Sequence, residues 1–153
     1  MANTYTQIYI QAVFAVQNRA SVIKQNWEDE LFKYITGIVQ KNGHKLLTIN
    51  GMPDHVHLFI GMDPSQSVSK LLQLVKTNSS KWINEKNFVK SRFSWQEGFG
   101  AFSYGHSQLD NVIHYINNQK EHHKKQNFRE EYLLFLSKFK VDYNERYLFN
   151  FLE

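Results

Sequence analysis

The sequence predicts an α+β domain in which an antiparallel sheet packs against helices. Segments that alternate apolar and polar residues, typical of strands, are interleaved with segments whose apolar residues recur every three or four positions, typical of helices. Only two prolines occur, and no linker, repeat or low-complexity tract divides the chain. Residues 1–153 are therefore expected to form a single domain.

The first half of the chain predicts a strand, a helix and a hairpin of two strands. β-branched and aromatic residues in alternation mark the strands, and the helix has a stripe of aliphatic and aromatic residues. Asn42-Gly43 ends this helix, because both residues adopt the left-handed conformation at low cost. The expected elements are strands at 5–16, 44–50 and 55–62, a turn at 51–54 and a helix at 26–41.

The second half predicts a long helix, a short strand, two further helices and an aromatic tail that packs back on the body. Ser67 can cap the long helix with its hydroxyl oxygen. The expected elements are a helix from Ser67 to about Ile83, a strand near 101–104, helices at 110–126 and 128–139, and the tail at 141–151. The order β-α-β-β-α-β with additional C-terminal helices is that of a ferredoxin-like sandwich, a sheet with two helices on one face.

The composition limits the class of protein. The net charge of +4 permits a nucleic-acid partner through counterion release but does not require one. The absence of cysteine excludes disulfides and thiolate metal sites. The N-terminal segment lacks the pattern of a secretory signal, and the apolar runs are far shorter than the roughly 20 residues of a membrane span. These features predict a cytoplasmic protein that does not span a membrane.

Two histidines separated by one apolar residue begin the third predicted strand. Because side chains of a strand alternate between faces, His55 and His57 project from one face and Val56 points to the core on the other. Two imidazoles on one face can share a divalent cation if a third ligand comes from elsewhere. They can also be polar residues of a solvated sheet face, and the spacing by itself favours this second interpretation.

A tyrosine and a glutamine lie one helical turn apart in the helix predicted at 110–126. Tyr115 and Gln119 both flank its apolar stripe, so their side chains are expected to face a shared cleft. A tyrosine at such a boundary is most often a packing residue, and the spacing alone is a weak signal. Tyr104 is the best rival as a nucleophile, but no carboxamide or histidine follows it one turn later.

The chemistry that would use these two pairs together is phosphoryl transfer on a nucleic acid. A tyrosine hydroxyl that attacks a phosphodiester forms a phosphotyrosine, which keeps the energy of the broken bond for a later joining step. A phenol with a pKa near 10 is a poor nucleophile at neutral pH. A metal held by two histidines and a glutamine can polarise the phosphate oxygen and orient the scissile bond.

These residues carry a family resemblance. PDHVHLFIG at 53–61 resembles the His-hydrophobic-His motif of the HUH endonucleases. YINNQ at 115–119 is similar to the tyrosine-helix motif of their single-tyrosine branch, the IS200/IS605-type transposases. The segments YTQIYIQAVFAVQNR, WQEGFGAFSYG and NQKEHHKKQNFREEYLLFL also resemble that family in matching order, so the likeness covers nearly the whole chain.

The resemblance implies a function and a set of site residues. Tyr115 would form a 5′-phosphotyrosine on single-stranded DNA and release a 3′-hydroxyl, while His55, His57 and Gln119 would coordinate Mg²⁺ or Mn²⁺. Mg²⁺ prefers oxygen ligands and imidazole suits Mn²⁺ better, so both ions stay open. The partners implied are imperfect DNA hairpins at the ends of a mobile element and a second copy of the chain. The implied location is the prokaryotic cytoplasm, in association with the nucleoid.

Several lysines and one arginine are candidates for contacts with DNA phosphates. Most stretches that are rich in such cations are nevertheless solvated faces of a protein. The candidates are Lys70, Lys76, Lys81, Arg92, Lys124 and Lys125. No carboxylate stands out as a general base, and His114 points about 100° away from Tyr115 around the helix. Two alternatives remain: a non-catalytic hairpin-binding protein on the same fold, and a phosphoesterase that uses His55 and His57 as acid and base.

Overall fold

The computed structural model describes residues 3–144 and 148. Two short 3-10 turns, at Gln17–Arg19 and His106–Gln108, accompany nine longer elements. These elements are β1 (Tyr9–Ala15), α1 (Gln25–Lys41), β2 (Lys45–Met52), β3 (His55–Gly61), α2 (Val68–Lys86), β4 (Gly100–Tyr104), α3 (Leu109–Asn117), α4 (Gln119–His122) and α5 (Phe128–Lys138). The order β-α-β-β-α-β with additional C-terminal helices is thereby confirmed.

The four strands form one antiparallel sheet in the order β2-β3-β1-β4. This order is the ferredoxin-like arrangement that the sequence predicts. β3 lies inside the sheet, with His57 opposite Val13 on β1 and opposite Asn50 on β2. The histidine strand is therefore held by ladders on both edges, which fixes the position of its side chains.

Each face of the sheet is covered by its own hydrophobic core. Alternate residues such as Phe14, Val56 and Leu58 point to the face covered by α1 and α2. The residues between them, among them Val13 and Phe59, point to the other face, where α3 and α5 pack. Since the C-terminal helices cover this second face, it is not the solvated sheet face that the histidine spacing by itself favours.

The structure corrects the predicted bounds in two places. The first strand begins at Tyr9, four residues later than expected, and the turn of the hairpin shrinks to Pro53 and Asp54. The capping of α2 is as predicted, because the Ser67 hydroxyl oxygen accepts from the Lys70 N–H at 3.0 Å. Of the aromatic tail, Leu148 packs beside the core under α5, and residues 145–147 and 149–153 lie outside the described part of the chain.

A further correction concerns the helix expected at 110–126, which breaks at Asn118. The φ and ψ of Asn118 are −102° and 23°, outside the helical range. Its side-chain Nδ2 donates to the His114 carbonyl at 3.0 Å, and such local bonds from asparagine compete with the helical ladder. Tyr115 and Gln119 consequently lie on two short helices that meet at Asn118.

In the described part of the chain, none of the helices has the length and apolar character that crossing a membrane requires.

Candidate metal centre and nucleophile

A single carboxylate joins the groups that the sequence singles out. Glu131 of α5 is 1 % exposed, and its Oε1 lies 3.1 Å from His57 Nε2 and 3.5 Å from His55 Nε2. Oε1 is also 3.2 Å from Nε2 of His123, which follows α4. Three imidazole nitrogens from two parts of the chain therefore surround one carboxylate oxygen.

The other oxygen of Glu131 meets the tyrosine and the glutamine. The Tyr115 hydroxyl donates to Oε2, and Gln119 Nε2 donates to it at 2.9 Å. The four residues that the resemblance assigns to catalysis and metal binding thus converge on Glu131.

Hydrogen bonds behind the two strand histidines set which ring nitrogen faces the cluster. His57 Nδ1 lies 2.8 Å from Gln11 Oε1, and His55 Nδ1 lies 2.7 Å from Asp54 Oδ1. Because both partners are oxygen acceptors, each Nδ1 carries a proton, and each Nε2 of a neutral ring presents a lone pair to the cluster. Gln11 is held in turn by the Tyr104 hydroxyl, to which its Nε2 donates at 2.9 Å.

The tyrosine and glutamine segments are docked onto the body of the same chain. Asn50 Nδ2 of β2 donates to the carbonyl oxygens of Ile116 and Asn117, at 3.0 and 3.2 Å. Lys120 pairs with Glu28 of α1 at 3.0 Å and also donates to a carbonyl oxygen of β2. These bonds satisfy the carbonyl end of α3 and hold Tyr115 beside the histidine strand.

The burial and charge of the site set the resting protonation. Burial alone would lower the pKa of His55, but the hydrogen bonds and charges of Asp54 and Glu131 raise it above its ordinary value. Burial lowers the pKa of His57, and the Glu131 charge offsets this only in part. Burial opposes ionisation of Glu131, yet the surrounding histidines hold its pKa far below its usual range. Glu131 is therefore ionised at neutral pH.

The tyrosine is held in its protonated form. Burial raises the pKa of Tyr115 well above its ordinary value, and the charge of Glu131 raises it further. Its ring stacks on His122, with centroids 4.4 Å apart and an interplanar angle of 27°. At rest Tyr115 is thus a neutral hydrogen-bond donor to a carboxylate, and its proton already has an acceptor.

The donor set fits a divalent cation. Ligand atoms of His55, His57 and Glu131 all lie within 4.8 Å of one another. Within the described residues, His55 Nε2 and Gln119 Oε1 are buried without a hydrogen-bond partner. Lone pairs of imidazole, carboxylate and carboxamide converge here, and this mixture of nitrogen and oxygen ligands suits Mn²⁺ or Mg²⁺. Gln119 and Glu131 are both candidates for the third ligand.

Glu131 and His123 are site residues that the sequence reasoning missed. On α5, Glu131 follows Phe128 by three positions and precedes Phe135 by four, so a carboxylate occupies the apolar face of a helix. That break in the apolar stripe is a signal in the sequence. His122 and His123, which precede the exposed Lys124 and Lys125, are half-buried against Tyr115 and Glu131.

Three of the cations proposed as phosphate contacts lie together, on α2 and on the segment that follows it. Lys76, Lys81 and Arg92 line one groove of about 780 Å³ between α2 and the segment that precedes β4. Lys76 is half-buried there and donates to the carbonyl oxygens of Gln96 and Gly98, both at 2.7 Å. Burial lowers its pKa. These two hydrogen bonds from Lys76 thus hold the loop that leads to β4 against α2.

The remaining cations are exposed, and two of them have carboxylate neighbours. Lys81 lies 4.0 Å from Glu85, and Lys124 lies 3.1 Å from Glu121. The exposed cations are Lys70, Lys81, Arg92, Lys124 and Lys125. Exposed pairs of this kind contribute little to stability, so these side chains can leave their partners to meet a phosphate.

The rival tyrosine is bound into the sheet. Tyr104 ends β4, and its hydroxyl accepts from Gln11. Burial raises the pKa of Tyr104 to about 12. Its hydroxyl does not contact the Glu131 cluster directly, because Gln11 lies between it and His57.

This chain is similar to known proteins in sequence and in fold. The curated ISDra2 transposase TnpA of Deinococcus radiodurans is 28% identical over 75 residues, 49% of this chain and 54% of the relative. The chain thus spans about half the length of the curated relative it matches. A crystal structure of a transposase candidate from Deinococcus radiodurans aligns with a TM-score of 0.63 and 20% identity, covering 76% of this chain and 94% of that one.

A second solved structure and the model of a protein family also match this chain. A REP-associated tyrosine transposase bound to a REP hairpin aligns with a TM-score of 0.58 and 14% identity, over 76% of this chain and 68% of that one. At such identities the two structures establish the shared fold. The model of the IS200-like transposases matches residues 4–119, a segment that contains both strand histidines, Tyr115 and Gln119 but ends before Glu131. This chain belongs to the IS200-like transposase family.

Proposed function

We propose that this protein cuts and rejoins single-stranded DNA at hairpin-marked ends of a mobile element, with Tyr115 as the nucleophile. The observation that carries the proposal is the convergence of the Tyr115 hydroxyl and the buried pair His55 and His57 on one carboxylate. A protein that only bound DNA would have no need of a partly buried phenol beside a cluster of potential metal-ligand atoms. Membership of a transposase family supports the same reaction.

Cleavage by this site would be a transesterification. The Tyr115 oxygen bonds to phosphorus, the bond from phosphorus to the 3′ oxygen breaks, and the DNA keeps its 5′-phosphate on the tyrosine. The phenol proton leaves along its hydrogen bond to Glu131 Oε2 and passes on to the departing 3′ oxygen, so that Glu131 is again ionised at the end of the step. Rejoining reverses the sequence with another 3′-hydroxyl, so no external energy source is required.

A divalent cation held by His55, His57 and either Gln119 or Glu131 would polarise an oxygen of the scissile phosphate. The protein's own contribution is orientation. Asp54 and Gln11 keep the Nε2 atoms of the histidines turned inward, and α5 closes the cluster off from water. In such a dry site electrostatic stabilisation of a developing charge is stronger than in water.

The proposal includes the partners. A solved relative is bound to a REP hairpin, which supports a DNA hairpin as the substrate of this chain as well. The exposed cations Lys70, Lys81, Arg92, Lys124 and Lys125 are the candidates for holding its phosphates. We include a homodimer as the working form, associated with the nucleoid, as the family resemblance implies.

A covalent adduct tests the proposal. The full chain is incubated with Mn²⁺ and labelled single-stranded DNA that carries the palindrome flanking the encoding locus, and the products are separated on a denaturing gel. A protein–DNA band is expected with the natural protein and absent with Tyr115→Phe, because the phenol oxygen forms the bond. Tyr5→Phe, at a tyrosine exposed to solvent and outside the site, is the matched control, in which the band is still expected.

Other outcomes would identify the alternatives. An adduct that persists in Tyr115→Phe would assign the nucleophile elsewhere. Metal-dependent hydrolysis that survives in Tyr115→Phe would indicate the phosphoesterase with a histidine acid and base. Tight hairpin binding without any adduct would indicate the non-catalytic binding protein.

A further inference from the structure

A cavity of about 300 Å³ opens beside the nucleophile, between α3 and α5. Tyr115 and Glu131 lie at its inner end, and Gln11 and Tyr104 of the sheet also line it. If Tyr115 attacks DNA, as proposed above, the nucleotide that carries the reacting phosphate has to approach the phenol through this opening. The chemistry of the lining therefore bears on which part of the nucleotide enters.

The walls of this cavity are apolar. Val112 projects from α3, and Leu134 and Phe135 project from α5 on the opposite side. Leu134 is 59% exposed, a large apolar side chain facing water at the mouth of the cavity. A charged phosphate gains nothing between such walls, whereas a flat heteroaromatic ring does, because stacking on apolar and aromatic side chains stabilises unpaired bases.

The rim of the cavity carries carboxamides. Asn111 lies on α3 one position before Val112, and Gln126 lies just before α5 on the other side. A carboxamide presents a donor and an acceptor side by side, and this pair matches the edge of an unpaired base. A third carboxamide, Gln108, is already engaged, because its Oε1 accepts from the Gly105 N–H at 2.9 Å.

We propose that this cavity binds the unpaired base of a nucleotide next to the scissile phosphate, and that Asn111 and Gln126 recognise its edge. The inference rests on the proposed function, since it assigns a subsite to the same reaction. Lys138 lines the same cavity from the last turn of α5 and is placed to meet a backbone phosphate outside it. The volume of the cavity, about 300 Å³, is sufficient for one planar base.

The first part of the test locates the scissile bond. The natural protein is incubated with the hairpin DNA and Mn²⁺, and sequencing of the DNA attached to Tyr115 identifies the two nucleotides that flank it. Binding is then measured by fluorescence anisotropy in Tyr115→Phe, which removes the covalent step. The same DNA is compared with versions that lack the base at either flanking position.

Removal of one of the two bases is expected to weaken binding by roughly tenfold, the size of one stacked and hydrogen-bonded base. Adding Asn111→Ala and Gln126→Ala, singly and together, should weaken binding of the intact DNA. In the doubly substituted protein, loss of the base should then cost far less. Gln40→Ala, at an exposed glutamine of α1 in the other helical layer, is the matched control and should keep the full effect of base removal.

Each outcome has a definite meaning. If neither base affects binding, or if the effect is the same size in the doubly substituted protein, the cavity is not a base pocket and the inference is wrong while the transposase proposal stands. If the natural protein forms no adduct at Tyr115, the proposed function fails and this inference falls with it. The two failures are distinguished by the covalent band itself.

Discussion

Glu131 has two oxygens with different partners. Oε1 lies near the imidazoles of His55, His57 and His123, and Oε2 accepts hydrogen bonds from Tyr115 and Gln119. Because it is buried and ionised, it keeps the tyrosine protonated at rest and concentrates negative charge where a cation would bind. One side chain thereby contacts both the proposed metal ligands and the proposed nucleophile.

The side chain of Gln11 orients the imidazole ring of His57. Its Oε1 accepts from His57 Nδ1, and this bond keeps the Nε2 lone pair turned toward the cluster. Gln11→Leu is expected to weaken Mn²⁺ binding roughly 10- to 100-fold, the usual cost of losing the partner behind a metal-ligating histidine. Isothermal titration of the protein with MnCl₂ measures the affinity directly.

Gln7→Leu is the control for this experiment, because Gln7 is exposed and precedes β1. It should bind Mn²⁺ as the natural protein does. An unchanged affinity in Gln11→Leu, with the fold intact by circular dichroism, would show that the orientation of His57 does not depend on Gln11.

The hairpin of β2 and β3 positions the histidines, and Gly51 allows its two strands to approach closely. A Cβ added at Gly51 would lie 2.4 Å from the His55 carbonyl oxygen and 3.1 Å from Val56 Cα. Both are backbone atoms of β3 and cannot move aside as a flexible side chain could. The close approach is therefore a requirement of the strand that carries the site.

We expect Gly51→Ala to destabilise the fold by about 1–3 kcal/mol, the usual cost of forcing atoms into a packed interior. Because the strained atoms adjoin His55, Mn²⁺ affinity should fall as well. Urea denaturation measures the first effect and calorimetric titration the second.

A second glycine of the same hairpin supplies the control. A Cβ at Gly61 would meet its nearest atom, Lys45 Cβ, at 3.6 Å, an ordinary contact. Gly61→Ala should therefore cost no stability. Equal effects of the two substitutions would contradict the argument from close approach.

Local apolar periodicity predicts the bounds of most helices and strands, but not of all. The strand that carries the histidines and the helices α1, α2 and α5 lie close to their predicted bounds, because each has a periodic apolar face and, for α2, a cap at Ser67. The helix at 110–126 was predicted as continuous, which is wrong. Its apolar stripe ends at Ile116, but no proline or glycine follows before Asn127 to mark the end of the helix, and only the bonds that dock this segment onto β2 and α1 reveal where it breaks.

At the scale of the whole molecule, the C-terminal helices turn the second sheet face into an interior. The tyrosines buried in that layer are consequently hard to ionise, and burial raises the pKa values of Tyr104 and Tyr132 to about 12. Between pH 10 and pH 12 the unfolded chain loses phenol protons that the fold retains. Their contribution to stability is complete below pH 10 and is lost as the pH rises toward 12.

We therefore expect the free energy of unfolding to fall with pH above 10, and to fall less steeply when Tyr104 and Tyr132 are both replaced by phenylalanine. Urea denaturation at several pH values between 8 and 11.5 provides the slopes. Tyr5→Phe, at a tyrosine that is 90% exposed, is the control and should leave the slope unchanged. Identical slopes in the double variant and the natural protein would exclude these two phenols as the cause.

The sequence by itself determined the order of elements and the common face of His55 and His57. Each of these follows from a local period of two or of about 3.6 residues, which a short stretch of chain already contains. Only the tertiary structure decided that the histidine face is buried and that Glu131 and His123 complete the site. Those facts depend on how α5 packs across the sheet, and a contact between residues more than 70 positions apart leaves no periodic signal in the chain.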